Sequence, residues 1–256
     1  MTTRILAAIF AAGALTALLA QHQKPDLSGI WQYSVATAGG GVRQVVQGQT
    51  IIGVPDQSGR QPAKVPVPGA LPGQPAPNFK PEMLAAVKEA DENQTSRDNT
   101  FACGKPGVPR IGPPRKIVQL PTEVIFFYED MSGDQYRIIP FNAKHREDAD
   151  PSFNGDSIAW WEGDTLVVEA VNFVTDTWFG EYGYIHSDAM KVTERLWKVG
   201  ENLAYQVIVE DPKVLAEPWV QPVRLIKPSD EPLMESPPCI EDDFHRLTNK
   251  DHHLQR

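Results

Sequence analysis

Two runs rich in Trp, Val and Phe, Asp156–Trp161 and Thr165–Phe173, stand on either side of Glu162-Gly163-Asp164. A Gly-Asp pair tolerates the positive φ angles of a tight turn, so DSIAWWEGDTLVVEAVNF predicts a β-hairpin. A hairpin exposes both of its faces. The remainder of the chain must therefore supply more sheet, which either closes on itself or stacks on a second sheet to hide one face.

The same reading finds strands elsewhere. Pro25–Tyr33 opens the chain, and its Gly29 and Trp31 resemble the G-x-W start of many lipocalin-type barrels. Val42–Gly53 reads as a further strand or hairpin. Lys116–Leu120 and Val124–Glu129 turn about Pro121-Thr122-Glu123, and Tyr136–Phe141 follows a Ser-Gly-Asp turn. Lys191–Val199 and Leu203–Asp211 turn about Gly200-Glu201-Asn202, and Val223–Lys227 is the last strand. Leu203, Tyr205, Val207 and Val209 share one face, with Gln206 and Glu210 on the other. Val124–Glu129 is apolar on both faces and calls for a cover on each, from the Pro-rich wrap or the helix. Pro81–Asn93 has Pro in its first turn and a stripe of Met83, Leu84, Val87 and Ala90, the pattern of a short helix. The expected fold is mainly β: an antiparallel meander closing into a lipocalin-like barrel, with a β-sandwich as the alternative.

Composition sets the surroundings of that fold. The chain has 256 residues, 41% hydrophobic and 22% charged, which suits one β-rich domain over residues 21–248. Its 23 prolines cluster at Val54–Pro81, Pro106–Pro114 and Glu217–Pro238, and residues 54–80 read as a surface wrap. A formal net charge of −9 with no basic stripe argues against nucleic acid and anionic membranes, where binding needs clustered Lys and Arg. Arg4, the apolar run Ile5–Ala20 and the polar Gln21-His22-Gln23 read as a secretory signal peptide over residues 1–20. That run is shorter than the roughly 20 residues a spanning helix needs, so no stable membrane anchor is expected. In an oxidising compartment Cys103 and Cys239 are expected to pair. Residues 249–256, with His252-His253, lack apolar content and read as a disordered tail.

PSFNGDSIAWWEGDTLVVEA, followed by Thr177-Trp178, His186-Ser187 and Glu194-Arg195, resembles a largely uncharacterised family of secreted bacterial proteins. Their shared signature runs P-S-x-x-G-x-S, W-E-G-D-T-L-V-V, T-W, H-S and E-R, and the likeness spans Cys103 to Glu241. It implies a secreted β-rich domain and no particular activity.

Two loops flank the central hairpin, Asn142–Asp156 before it and Val174–Met190 after it. A hairpin returns to the end it left from, so both loops are expected at one rim. His145 and His186 have the intrinsic pKa for proton transfer near neutrality, with Asp148 and Asp188 placed in sequence to orient them. Glu194 shares a face with Val192 and Leu196 and Arg195 one with Trp197, so one of that charged pair points toward the core. A buried Glu194 needs a partner or a raised pKa, the making of a general acid. Glu169 raises the same question beside Val167 and Val171. Trp161, Trp178, Tyr184 and Arg195 are candidate ligand contacts.

No tight ligand spacing such as H-E-x-x-H and no C-x-x-C is present, so a metal is not expected. No serine sits in G-x-S-x-G. The expected function is an exported barrel that binds a small, partly apolar molecule. The alternative is a hydrolase, lyase or isomerase that works without an organic cofactor. The sequence is silent on oligomeric state.

Overall fold

The computed structural model describes residues 24–32, 43–46, 49–53, 76–130, 135–236 and 239. The predicted signal peptide, the tail 249–256 and nearly all of the Pro-rich wrap lie outside these residues.

Within the described residues the strands are β1 (Gly29–Gln32), β2 (Arg43–Val46), β3 (Gln49–Gly53), β4 (Lys116–Gln119), β5 (Glu123–Tyr128) and β6 (Gln135–Pro140). They continue with β7 (Asp156–Glu162), β8 (Thr165–Val171), β9 (Lys191–Val199), β10 (Asn202–Glu210), β11 (Trp219–Val220) and β12 (Val223–Pro228). Nine of them form one path, β6-β5-β4-β1-β12-β10-β9-β8-β7, while β2, β3 and β11 pair at its side. Read as a ring, this is an up-and-down meander in chain order, the fold class expected. β11 was not foreseen.

The eight hydrogen-bonded links in this path are all antiparallel. Nine strands that alternate in direction cannot close without one parallel contact, and that contact falls between β6 and β7. They meet at a parallel bridge, Phe141 with Ala159, and at a hydrogen bond from Asn142 N to Ala159 O of 2.7 Å. The barrel is nearly closed, with a seam there. Because β6 and β7 run the same way, the connection 141–155 must travel back along the barrel as a strap.

This geometry sorts the connections. Tight turns at 121–122, 163–164 and 200–201 gather at one end. The connections 103–115, 172–190 and 211–222 gather at the other, called here the rim. Gly163 and Gly200 take φ of 59° and 60° in their turns, a conformation that favours glycine.

Alternation decides the interior. Val124, Phe126 and Tyr128 of β5, Leu166, Val168 and Ala170 of β8, and Leu203, Tyr205, Val207 and Val209 of β10 are buried in one core. Each large apolar side chain so placed stabilises the fold by about 1.5–3 kcal/mol. β6 departs from the simple pattern: Arg137 and Ile139 point inward, while Tyr136 and Ile138 are 62% and 54% exposed on the outer wall. Ile125 and Phe127 face the same outer wall and are half-buried, with Phe127 against Tyr136 at 6.4 Å.

The short helix begins as a 3₁₀ turn, Pro81–Met83, and continues as α1 (Leu84–Glu92), with a further turn at Gln94–Arg97. Of the expected stripe, Ala90 is buried and Met83 and Val87 are half-buried, but Leu84 is exposed. The helix does not cover β5. It packs on the rim, where Val87 O would lie 2.3 Å from a Cβ at Gly183. Among the described residues no helix is long and apolar enough to cross a membrane.

Cys103 and Cys239 are joined by a disulfide. After β12 the chain runs back over β1 and β5, with Ser229 N bonded to Ile30 O and Met234 N to Glu129, before it reaches Cys103. The bridge points to an oxidising, extracellular-type compartment.

Candidate functional site

The two loops flanking the central hairpin do meet. Ser152 bridges Phe173, its N–H bonds Asn172 O at 3.2 Å, and Val174 N–H returns to Ser152 O at 3.1 Å. Gly155, at φ 68°, lets the strap turn into β7; a Cβ there would lie 2.6 Å from Val171 O. Asp98 and Arg110 form a braced pair at the rim. The Arg110 guanidinium donates to both Asp98 oxygens at 2.8 and 2.7 Å and lies 5.8 Å from the Trp178 ring centroid. Burial alone would raise the Asp98 carboxyl, but the bonds from Arg110 and Thr100 outweigh it and hold it below its ordinary value.

His145 lies on the strap against the outer wall. Its Nδ1 is 3.0 Å from Asp156 Oδ2 and its Nε2 3.2 Å from Glu169 Oε1. Asp156 also accepts from the Arg146 backbone and side chain at 3.0 and 2.8 Å. Burial would raise the Asp156 pKa, yet these bonds lower it. Glu169 is thus an outer-wall residue, and beyond it Lys191 lies 3.7 Å away and reaches Glu210 at 2.8 Å. Both nitrogens of His145 are taken up by this chain of charges. Asp148 is exposed on the same loop.

His186 is only 6% exposed. Its Nδ1 bonds Ser187 O at 2.9 Å and its Nε2 lies 2.8 Å from Thr177 Oγ1. A carbonyl only accepts, so Nδ1 carries the hydrogen; the single hydroxyl hydrogen of Thr177 is shared between Nε2 and the Val174 carbonyl, 3.0 Å away. Burial lowers the His186 pKa, with opposition from the Ser187 bond, Asp211 and Asp176. Asp188 is not its partner. That residue is exposed and bonds Lys213 at 2.5 Å, which lowers its pKa. Asp211 orders this part of the rim by accepting from Ser187 N and Oγ at 2.7 and 2.8 Å and from Lys213 N at 3.0 Å. Among the described residues the two imidazoles have no partner in common.

The proposed ligand contacts are spread out. Trp161 is half-buried beside Phe141 near the turn end. Trp178 is buried under Arg110. Tyr184 belongs to an aromatic plug at the rim with Phe79, Phe179 and Trp219, their centroids 5.4–6.1 Å apart. Arg195 faces outward and pairs with Glu162 at 2.9 Å.

Glu194 takes the inward position of its charged pair and is fully buried. Arg137, from the opposite side of the seam, donates to Glu194 and also to the Tyr128 hydroxyl at 3.0 and 2.7 Å. Tyr205 donates to the other Glu194 oxygen at 2.9 Å. Burial would lower the Arg137 pKa, but Glu194 holds it above its ordinary value. The Tyr128 and Tyr205 hydroxyls are pushed upward by the same burial. Glu194 is therefore matched by a cation rather than left as a lone acid. Arg137 was not singled out in the sequence; QYRIIP shows an arginine in a strand, and nothing in it marks the polar face as the inner one.

Two open clefts accompany these groups. The rim cleft, about 540 Å³, lies between Val171, Leu215 and Pro218 on the apolar side and Lys191, Glu210 and Asp211 on the charged side. The seam cleft, about 380 Å³, descends between β6, the strap and β7 to Arg137. Neither histidine lines either cleft. Among the described residues no group of three or more His, Cys, Asp and Glu is arranged to hold a metal ion.

Fold and site together define a nearly closed, disulfide-linked β-barrel with a charged pair inside and open clefts at its rim and seam. No protein-family model and no curated protein matches the chain.

Proposed function

We propose that this is an exported protein that binds a small, partly apolar molecule in the rim cleft, in the periplasm or outside the cell. The observation that carries the reading is the cleft itself, an opening of about 540 Å³ with one apolar and one charged side. Ligand clefts are typically of roughly 300–1,000 Å³ and combine apolar walls with a few fixed polar groups. Here the polar groups are held in place. Lys191 is fixed by Glu169 and Glu210, and Asp211 by the 187 and 213–214 backbone. Both histidine-bearing loops border the cleft indirectly, His145 through Glu169 and Lys191, His186 through Ser187 and Asp211. The disulfide, the apolar N-terminal run and the resemblance to secreted bacterial proteins support export.

Acid–base catalysis by His145 and His186 draws less support. A catalytic base must reach its substrate, and both rings are satisfied by protein groups away from either cleft.

Native mass spectrometry of the protein exported by its own cells, with metal analysis alongside, tests the proposal. A co-purifying mass is expected on the native chain, and Ala216→Trp, at an exposed cleft residue, should abolish it. A chain that carries no added mass, or a mass retained by Ala216→Trp, overturns the reading.

A further inference from the structure

We propose that the seam cleft is a second binding site, for a small hydroxycarboxylate whose carboxylate meets Arg137 and whose hydroxyl meets Asn154. The proposal is independent of the rim cleft. Between Gln135–Pro140 and Asp156–Ile158 no strand register joins β6 to β7, and the resulting gap leads from the outer wall to a side chain that is otherwise interior. Arg137 spends Nε and Nη2 on Tyr128 and Glu194, but among the described residues Nη1 has only Ser157 Oγ, at 3.4 Å. That is beyond the usual N–H···O range, so this edge of a fixed guanidinium has donor capacity directed to an acceptor.

The mouth of the cleft repeats the sign. Lys144 is exposed and makes no ion pair among the described residues. Arg146 lies beside it with its side chain largely exposed. The single carboxylate of the lining, Asp156, is already occupied by Arg146 and His145 and does not neutralise the rest. Arg137 and Arg146 are each matched by a carboxylate, Glu194 and Asp156, so the unpaired positive charge of the described lining is Lys144 at the mouth; it favours an anion, and an arginine edge beside a serine hydroxyl suits a carboxylate.

Asn154 supplies the second half of the specificity. It lines the same cleft, and its Oδ1 is buried without a hydrogen-bond partner, while its amide donates to Gln135 at 3.3 Å. A buried acceptor left unpaired is costly, and only a donor repairs it. A carboxylate alone offers none; a carboxylate bearing a hydroxyl does.

The test uses the full oxidised chain and ¹⁵N NMR titration with malate, succinate and inorganic phosphate. Malate should shift the Arg137 Nε–H and the Asn154 side-chain amide, and succinate, which lacks the hydroxyl, should bind more weakly. Lys144→Glu, at an exposed position that leaves the core untouched, should weaken malate by about tenfold or more. Ala216→Trp in the rim cleft should leave malate unchanged. The proposal fails if malate leaves both side chains unmoved, if Lys144→Glu binds it as tightly, or if succinate or phosphate binds as well as malate.

Discussion

Arg137 on β6 and Glu194 on β9 face each other inside the barrel with their side chains 4% and 1% exposed, held from the flanks by Tyr128 and Tyr205. Two charges withdrawn from water lose several kcal/mol of solvation each, which their attraction and hydrogen bonds roughly offset. Removing one partner is a different matter, because the other charge stays buried alone. Glu194→Leu should therefore cost about 3–5 kcal/mol, whereas Arg137→Met with Glu194→Leu should recover much of the loss. Urea denaturation of the two variants measures this, and equal losses would show that the pair is not coupled.

The disulfide closes a loop of 136 residues in sequence. Restricting the unfolded chain over such a length stabilises the native state by up to about 5 kcal/mol in the chain-entropy model. Calorimetry with and without reductant should show a clear fall in Tm. The Cys103→Ser, Cys239→Ser double variant should match the reduced protein and stop responding to reductant.

Burial sets the pH response of His186. Its folded pKa lies below the ordinary value near 6.5, so in that window the unfolded chain takes up a proton that the folded chain refuses. Stability is thus full above about pH 6.5 and lost as pH falls toward the folded pKa, with a slope of at most about 1.4 kcal/mol per pH unit. His186→Gln should flatten this part of the stability–pH curve. An unchanged slope would assign the response to other groups.

Gly183 combines φ of 71° with the close approach of α1 to the rim. An added methyl group would meet Val87 O at 2.3 Å and Asp91 N at 2.7 Å. Gly183→Ala should therefore unseat α1 and destabilise the protein by about 1–3 kcal/mol. Faster hydrogen exchange over residues 84–92, with β8–β10 still protected, is the expected signature.

How far the sequence could be read depended on range. Gly163-Asp164 and the alternation of Leu203–Val209 announce local geometry, and those hairpins form where expected. Cys103 and Cys239 were legible because two thiols in an oxidising setting have one partner each. Leu84 was misplaced because a helical stripe does not say how wide its covered face is. The inward choice between Glu194 and Arg195 was legible as a question. Its answer required Arg137, which lies on a strand whose apolar residues Tyr136 and Ile138 point outward, against the usual sign of alternation. The meeting of Ser152 with Phe173 followed from the hairpin, but the surroundings of His145 and His186 did not. They depend on Glu169 and Thr177, and no local pattern pairs those residues with the rings.

The parallel meeting of Phe141 with Ala159 has an evolutionary consequence. A whole added hairpin contributes two strands and keeps an odd ring odd. Growth by that route moves the mismatched edge or lengthens it, but never heals it. Only the gain or loss of a single strand would restore full alternation, and it would leave the chain on the opposite end of the molecule.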